Sequence, residues 1–341
     1  MKVHEAAKTL GVTPRALRYY EEKGLIRPMK EIENGYRIYS EEDMMRLQWI
    51  VTLRELGLPI TAISDSLDSL ADPAAFIRKM DGARAEMYEE WVSVTQTLQA
   101  LDDTIAAWHQ SDSVRIAQAE PAASRLKQNR LLRSSWNDRW NYDELARRYG
   151  IVAPYVHLEG LLPEEHYYQA LARTADWLDP QTGERGLELG AGSGNLTVLL
   201  ASGGAKLTVI EQSAEMLAIL RDRLPQVNAR QGNLLALPLT SQAYAFIGCS
   251  FALHHLNRSQ QLYALGEMDR VLMSGGRIVI TGLMFEAHDR EQRPSSLKEL
   301  DSLEVTPSLL CELIEWFESR GYSTITEKQH AYTHLVYAVK P

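Results

Sequence analysis

Leu187-Glu188-Leu189-Gly190-Ala191-Gly192-Ser193-Gly194-Asn195 decides how the second half of this chain folds. An apolar run from Gly186 to Leu189 leads into it, and Leu196, Leu199 and Leu200 leave it at helical spacing. The pattern predicts strand, tight glycine turn, helix. Glycines at such a turn let the backbone approach a ligand closely, and the helix N-terminus favours negative charge. The next apolar run, Lys206 to Ile210, ends in Glu211. An acidic residue about 20 positions beyond the glycines suits a grip on ribose hydroxyls. Together the two signals predict an adenosine-type nucleotide site. The dinucleotide fingerprint needs its third glycine where this chain has Asn195; here the glycines fall at 190, 192 and 194.

Strands and helices alternate downstream. A helix over 213–224 is followed by a short strand over 226–231 and by Gly232-Asn233-Leu234. Tyr244 to Ser250 is a strand, followed by Phe251-Ala252-Leu253-His254-His255-Leu256. Arg270-Val271-Leu272, Gly275-Gly276-Arg277 and Ile278-Val279-Ile280 read as helix end, turn and strand. Residues 306–320 form a helix, and 322–329 and 334–339 two last strands. Ahead of the glycine turn stand a helix over 163–178 and an aromatic-rich segment with Trp136, Trp140, Tyr142 and Tyr149. This alternation predicts a doubly wound sheet with its ligand outside the carboxyl ends of the strands.

The glycine spacing with Glu188 before it resembles motif I of the class I S-adenosylmethionine (SAM) methyltransferases. The order of the following elements is similar over nearly the whole domain. The resemblance implies seven strands ending in a hairpin. It places Glu188, Gly190, Gly192 and Gly194 around the methionine moiety of SAM, Glu211 on the ribose, Asn233 and Leu234 at the adenine, and Ser250 and Phe251 at the methyl-donor end. Two positions depart from the pattern: Asn233 stands for the usual Asp, and Ala245 for another. An Asn carbonyl still accepts a hydrogen bond from an adenine amino group. In related methyltransferases a segment with a Trp and a Tyr-Asp pair, here Tyr142-Asp143, closes over the SAM site; the alternative is a helix packed on the core. For catalysis, His254 and His255 sit at the right strand end, one as a base and the other packing. Glu286, His288 and Asp289 are weaker acceptor-site candidates. Cys249 reads as a buried strand cysteine rather than a nucleophile.

At the other end, Val3, Ala6, Ala7 and Leu10 make one helical face closed by Gly11. Thr13 as N-cap and Pro14 at the first helical position open a second helix to about Glu22, stopped by Gly24. Asn34-Gly35 signals a hairpin, the wing of a helix-turn-helix. Ser40 with Asp43 opens a third helix ended by Gly57, and Thr61 caps a fourth. Arg18-Tyr19-Tyr20-Glu21, Gly24-Leu25-Ile26, Gly35-Tyr36-Arg37-Ile38-Tyr39 and Leu53-Arg54-Glu55-Leu56-Gly57 are similar, in order and spacing, to the DNA-binding domain of the MerR family of bacterial transcriptional regulators. The resemblance implies a dimer on a pseudo-palindromic, double-stranded promoter that it distorts. DNA contacts are expected from Arg15, Arg18, Tyr19 and Tyr20 of the recognition helix and from Arg37 and Tyr39 of the wing.

From Pro73 the apolar positions Phe76, Met80, Ala83, Met87, Trp91, Val94, Leu98, Leu101, Ile105 and Trp108 alternate gaps of three and four, a coiled-coil seam. Such a helix, about 50 Å long, needs a partner. In the MerR family it pairs antiparallel with its twin, implying a homodimer through residues 76–108; packing on the chain's own second domain is the alternative. The cysteines of the family's metal sensors are missing there, so no metal is expected. Residues 111–135 lose the stripe and read as a linker, in part helical.

The expected architecture is thus a MerR-like winged helix-turn-helix over 1–70, a dimerisation helix over 71–110, a linker over 111–135, and an α/β, Rossmann-like methyltransferase domain over 136–341. A net charge of −9 excludes a general polyanion binder, so DNA contact must come from a local patch. Cys249 and Cys311, the only two cysteines, form no disulfide framework or zinc motif. No signal peptide or membrane-spanning run is evident, and a cytoplasmic location is expected. Two functions fit. One is a DNA-binding regulator whose effector domain methylates a small molecule with SAM. The other is a sensor of SAM or another metabolite that controls transcription without chemistry.

Overall fold

The computed structural model describes residues 1–32, 35–111, 113–156, 158–286 and 305–341. The chain divides into two compact units, Met1–Arg84 and Ala85–Pro341.

In the first unit, α1 (Val3–Leu10) ends at Gly11 in the left-handed region, and α2 (Pro14–Glu22) starts where the Thr13 hydroxyl accepts the Ala16 N–H. Strands β1 (Met29–Lys30) and β2 (Arg37–Ile38) pair antiparallel, Met29 opposite Ile38. The hairpin predicted from Asn34-Gly35 is therefore present, though six residues lie between the strands and Asn34 is outside the described residues. Helix α3 (Glu41–Glu55) carries the predicted Ser40–Asp43 capping box. Helix α4 (Ile60–Leu67) corrects one expectation: Pro59 is its N-cap, without a side-chain bond, and Thr61 lies inside its first turn. Leu17, Tyr39, Leu47, Ile50 and Ile63 centre the core of this unit.

Helix α5 (Pro73–His109) is continuous, as the seam predicts. The stretch predicted as linker holds helix α6 (Glu120–Ser134), with Pro121 in its first turn. Little apolar periodicity marks it because polar contacts hold it. Arg133 donates to Gln96 and to the Tyr263 hydroxyl, each at 2.9 Å, and the Leu132 carbonyl accepts from Gln260 at 3.0 Å.

Helices α7 (Tyr142–Tyr149), α8 (Ala153–Val156) and α9 (Glu164–Leu178) precede the sheet. Then come β3 (Arg185–Leu189), α10 (Asn195–Ser202), β4 (Lys206–Glu211), α11 (Ala214–Arg223), β5 (Asn228–Gln231), β6 (Tyr244–Ser250), α12 (Arg258–Val271) and β7 (Leu272–Phe285). Two-residue β8 (Ser308–Leu309), α13 (Leu310–Glu318), β9 (Ser323–His330) and β10 (Thr333–Val339) complete it. The strand order is β5-β4-β3-β6-β7-β10-β9, parallel up to β7 and antiparallel for the final hairpin. The seven expected strands are present, and β8 adds a short parallel pairing at the end of β7. That pairing shortens the helix expected over 306–320. Ser308 and Leu309 pair with β7, and the Thr306 N–H donates to the His254 carbonyl at 2.7 Å.

Candidate functional site

A cavity of about 300 Å³ opens at the carboxyl ends of β3, β4 and β6. Its wall includes Gly190, Glu211, Asn233, Leu234, Ser250, Phe251 and His255 from the sequence assignments. Elements scattered between residues 136 and 256 thus converge on one hollow.

The glycine turn is shaped by φ. Gly190, Gly192 and Gly194 lie at +67°, +54° and +90°, where a side chain is strained. A Cβ at Gly190 would stand 2.5 Å from the Ala252 Cβ, and one at Gly192 2.7 Å from the Pro154 Cγ. Glu211 ties the turn to the next strand. Its carboxylate accepts the Gly192 N–H at 2.8 Å and the Gln212 and Ser213 N–H groups at 2.7 Å each. Burial pushes its pKa up while these donors pull it down. The Asn233 carbonyl accepts the Leu235 N–H at 2.8 Å, and its amide donates to Gln212 at 3.0 Å. One lone pair of that carbonyl stays available for a ligand.

Three cofactor assignments shift. Glu188, Gly192 and Gly194 do not border the cavity. The two glycines act through the backbone path of the turn. Glu188 lies in β3 between Val209 and Gly248 on the neighbouring strands, and its side chain is buried. Burial raises its carboxyl to about 8, against a partial offset from the Thr197 hydroxyl.

The two histidines also part. His254 is 1% exposed and off the cavity wall, which removes it as a candidate base. His255 lines the cavity. Its Nε2 lies 2.6 Å from the Tyr142 hydroxyl, and the Trp140 ring meets it edge-on at 4.4 Å. Burial holds the Tyr142 phenol well above its usual range, so it stays protonated. Phe251 has φ +49°, an unusual value for a bulky residue, and stands where β6 leaves the sheet. Cys249 is buried, its thiol pushed up to about 12, and Glu286 pairs with Lys328 at 3.4 Å. His288 and Asp289 lie outside the described residues.

Sequence reasoning missed Asp138, Pro154, Tyr167, Gln212 and Met216, which also line the cavity. Tyr167 sits on α9 and carries no local mark of a site. Asn195, immediately after the glycines, could have been found from its position. Trp136, Tyr142 and Asp143 line the cavity as well, so the aromatic segment is part of its wall. Asp143 fixes that segment to the start of α11, accepting from the Ser213 hydroxyl at 2.6 Å and the Glu215 N–H at 3.2 Å.

In the first unit, Arg15, Arg18 and Tyr19 are exposed on α2. Two expected DNA contacts are core residues instead. Tyr39 is 2% exposed with its hydroxyl buried, and Tyr20 is 7% exposed. Their rings pack in the core of this unit with Leu17, Leu25, Leu47 and Ile50. Arg37 is half-buried and ion-paired with Glu21 of α2, which clamps the wing to the helix.

The fold defines a helix-turn-helix head and a doubly wound α/β domain whose strand ends border one cavity. Comparison with known proteins sharpens both halves. The family model of the MerR HTH family regulatory proteins matches residues 1–70, and that of a methyltransferase domain matches residues 187–276. An uncharacterized methyltransferase of Alkaliphilus oremlandii is 30% identical over 184 residues, 52% of this chain and 85% of that protein. The HTH-type transcriptional regulator CueR of Salmonella typhi is 30% identical over 114 residues, 33% of this chain and 80% of that protein. The solved structure of YcgJ from Bacillus subtilis has 15% identity and a TM-score of 0.44, covering 51% of this chain and 98% of its own. The chain belongs to the MerR family through its first unit and to the methyltransferases through its second. Among the described residues no helix is long and apolar enough to cross a membrane.

Proposed function

We propose that this protein is a DNA-binding transcriptional regulator whose second unit binds SAM and methylates a small molecule. The observation that carries the reading is the convergence of the glycine turn, Glu211, Asn233 and the end of β6 on one cavity. The residues fit SAM. Gly190 puts bare backbone on the cavity wall, and a carboxylate stands where ribose hydroxyls need an acceptor. Glu211 would hold the ribose, Asn233 and Leu234 the adenine, and Gly190 with its neighbours the methionine end. Tyr167 and Phe251 add aromatic rings to the wall, 5.0 Å apart, a lining that favours a cation. SAM supplies an electrophilic methyl on a sulfonium. His255, with Tyr142 fixing its ring, is the group that would take a proton from an O- or N-acceptor.

Transcriptional control follows from the first unit, with Arg15, Arg18 and Tyr19 as the exposed DNA-facing set. The homodimer is supported by α5. Met87, Trp91, Val94, Leu98, Leu101 and Ile105 are 36–56% exposed along one face, an apolar stripe of coiled-coil spacing. One observation favours the non-catalytic sensor: the Tyr142 hydroxyl engages the His255 ring at Nε2, 2.6 Å away, and competes there with an acceptor's proton. The deciding experiment measures SAM affinity by calorimetry and methyl transfer from labelled SAM to a panel of small amines, phenols and thiols. Binding with turnover supports the enzyme, binding without turnover the sensor, and no binding refutes both.

A further inference from the structure

Helix α5 has two faces beyond Arg84. Gln96 is two positions from Val94 and two from Leu98, and two helical steps of about 100° carry it to the opposite side. That side, which carries buried Val92, meets α6 and α12 within the second unit, and Trp91 at the edge of the stripe lies under Arg270 of α12. There the Gln96 amide donates to the Tyr263 hydroxyl of α12 at 2.7 Å, and Arg133 of α6 donates to both partners at 2.9 Å. Asn129 of α6 adds a longer bond to Gln96 at 3.5 Å.

Both elements that meet Gln96 lead to the cavity. Helix α6 ends at Ser134, and Trp136, Asp138, Tyr142 and Asp143 of the following segment are cavity wall. Helix α12 begins directly after His255 and Leu256, also cavity wall, with Asn257 as its cap. Gln260 ties the two together, donating to the Leu132 carbonyl at 3.0 Å and the Ser135 hydroxyl at 3.2 Å. The segment's far end is held by Asp143 at α11 and by the Tyr142–His255 bond.

We propose that residues 120–149 form a brace that reports occupancy of the cavity to α5 through the node of Gln96, Arg133 and Tyr263. The proposal rests on the reading of the cavity as a SAM site. A ligand against Trp136, Tyr142 and His255 restricts both walls at once. The node passes that restriction to the helix whose other face is the apolar stripe. Ordering by one ligand lowers the ordering cost of a second event on the same element, and the coupling is reciprocal. Pairing of α5 therefore also strengthens SAM binding.

The test is hydrogen–deuterium exchange on the full chain with and without SAM, for the wild type, Tyr263→Phe and Arg133→Leu. Tyr263→Phe removes one hydroxyl and keeps the ring, which guards against misfolding. In the wild type, SAM is expected to slow exchange in peptides from 136–149 and from 88–108 by about fivefold or more. In both variants SAM still binds, weaker by at most about the fivefold coupling that is lost, protection of 136–149 persists at saturating SAM, and protection of 88–108 is lost. Wild-type protein that binds SAM without protecting 88–108, or variants that keep that protection in full, would overturn the brace alone. Wild-type protein that shows no SAM binding by calorimetry would overturn the cavity reading and the brace with it.

Discussion

Replacing Glu211 by alanine tests the cavity most directly, because the structure separates two costs. The carboxylate accepts three backbone N–H groups. Gln212 and Ser213 border the cavity, so water can replace the carboxylate at their amides. Gly192 does not border it, and its N–H is left buried and unpaired, costing about 1–3 kcal/mol. The thermal transition of the second unit is expected to fall accordingly. Binding loses the charge-assisted bonds to the ribose, worth roughly 1.5–3 kcal/mol, so the SAM Kd rises by at least about tenfold. Differential scanning calorimetry reads the first cost and titration calorimetry the second, at a temperature where the variant is fully folded. A folded variant with unchanged Kd refutes the ribose assignment. An unchanged transition refutes the account of Glu211 as the clasp of the glycine turn.

Three further outcomes are expected. Arg18→Ala weakens binding to the protein's own promoter DNA by about tenfold and leaves SAM affinity alone, whereas Tyr39→Phe leaves DNA binding intact because its hydroxyl is buried without a partner; gel-shift titration distinguishes the two. Leu98→Glu combined with Leu101→Glu places charges in the exposed stripe and yields a monomer by light scattering, and a persisting dimer would count against that stripe as the contact. Arg277 grips Glu184 with two arms, at 2.7 and 2.8 Å, and holds its carboxyl below the usual range. A depressed folded pKa contributes stability above the unfolded value of about 4.3 and loses it as pH falls through the folded one. Glu184→Gln should therefore lower the melting temperature at neutral pH, with the gap closing as pH drops below about 4; a constant gap would contradict the ion pair as its source.

What the sequence determined by itself is what neighbouring residues encode. The caps at Thr13 and Ser40, the positive-φ glycines at 190, 192 and 194, and the three-and-four spacing of α5 are read within a few residues, and each reappears in the structure. The glycine turn and Glu211 were legible as one site because a strand, a turn and a strand end have few ways to meet in a parallel sheet. Tertiary structure alone decided the rest. Helix α6 is held by Arg133 reaching a residue 37 positions away, a polar contact that leaves no periodic trace. Alternation does not say which of two adjacent histidines faces a hollow; the left-handed turn at Phe251 and the aromatic segment made it His255. Tyr20 and Tyr39 look like phosphate-binding hydroxyls in sequence, but a small unit needs their rings at its centre. The apolar stripe of α5 was visible from the start. That most of it stays exposed, while Trp91 at its edge meets Arg270 of α12 and polar Gln96 faces inward, depends on where α6 and α12 come to rest.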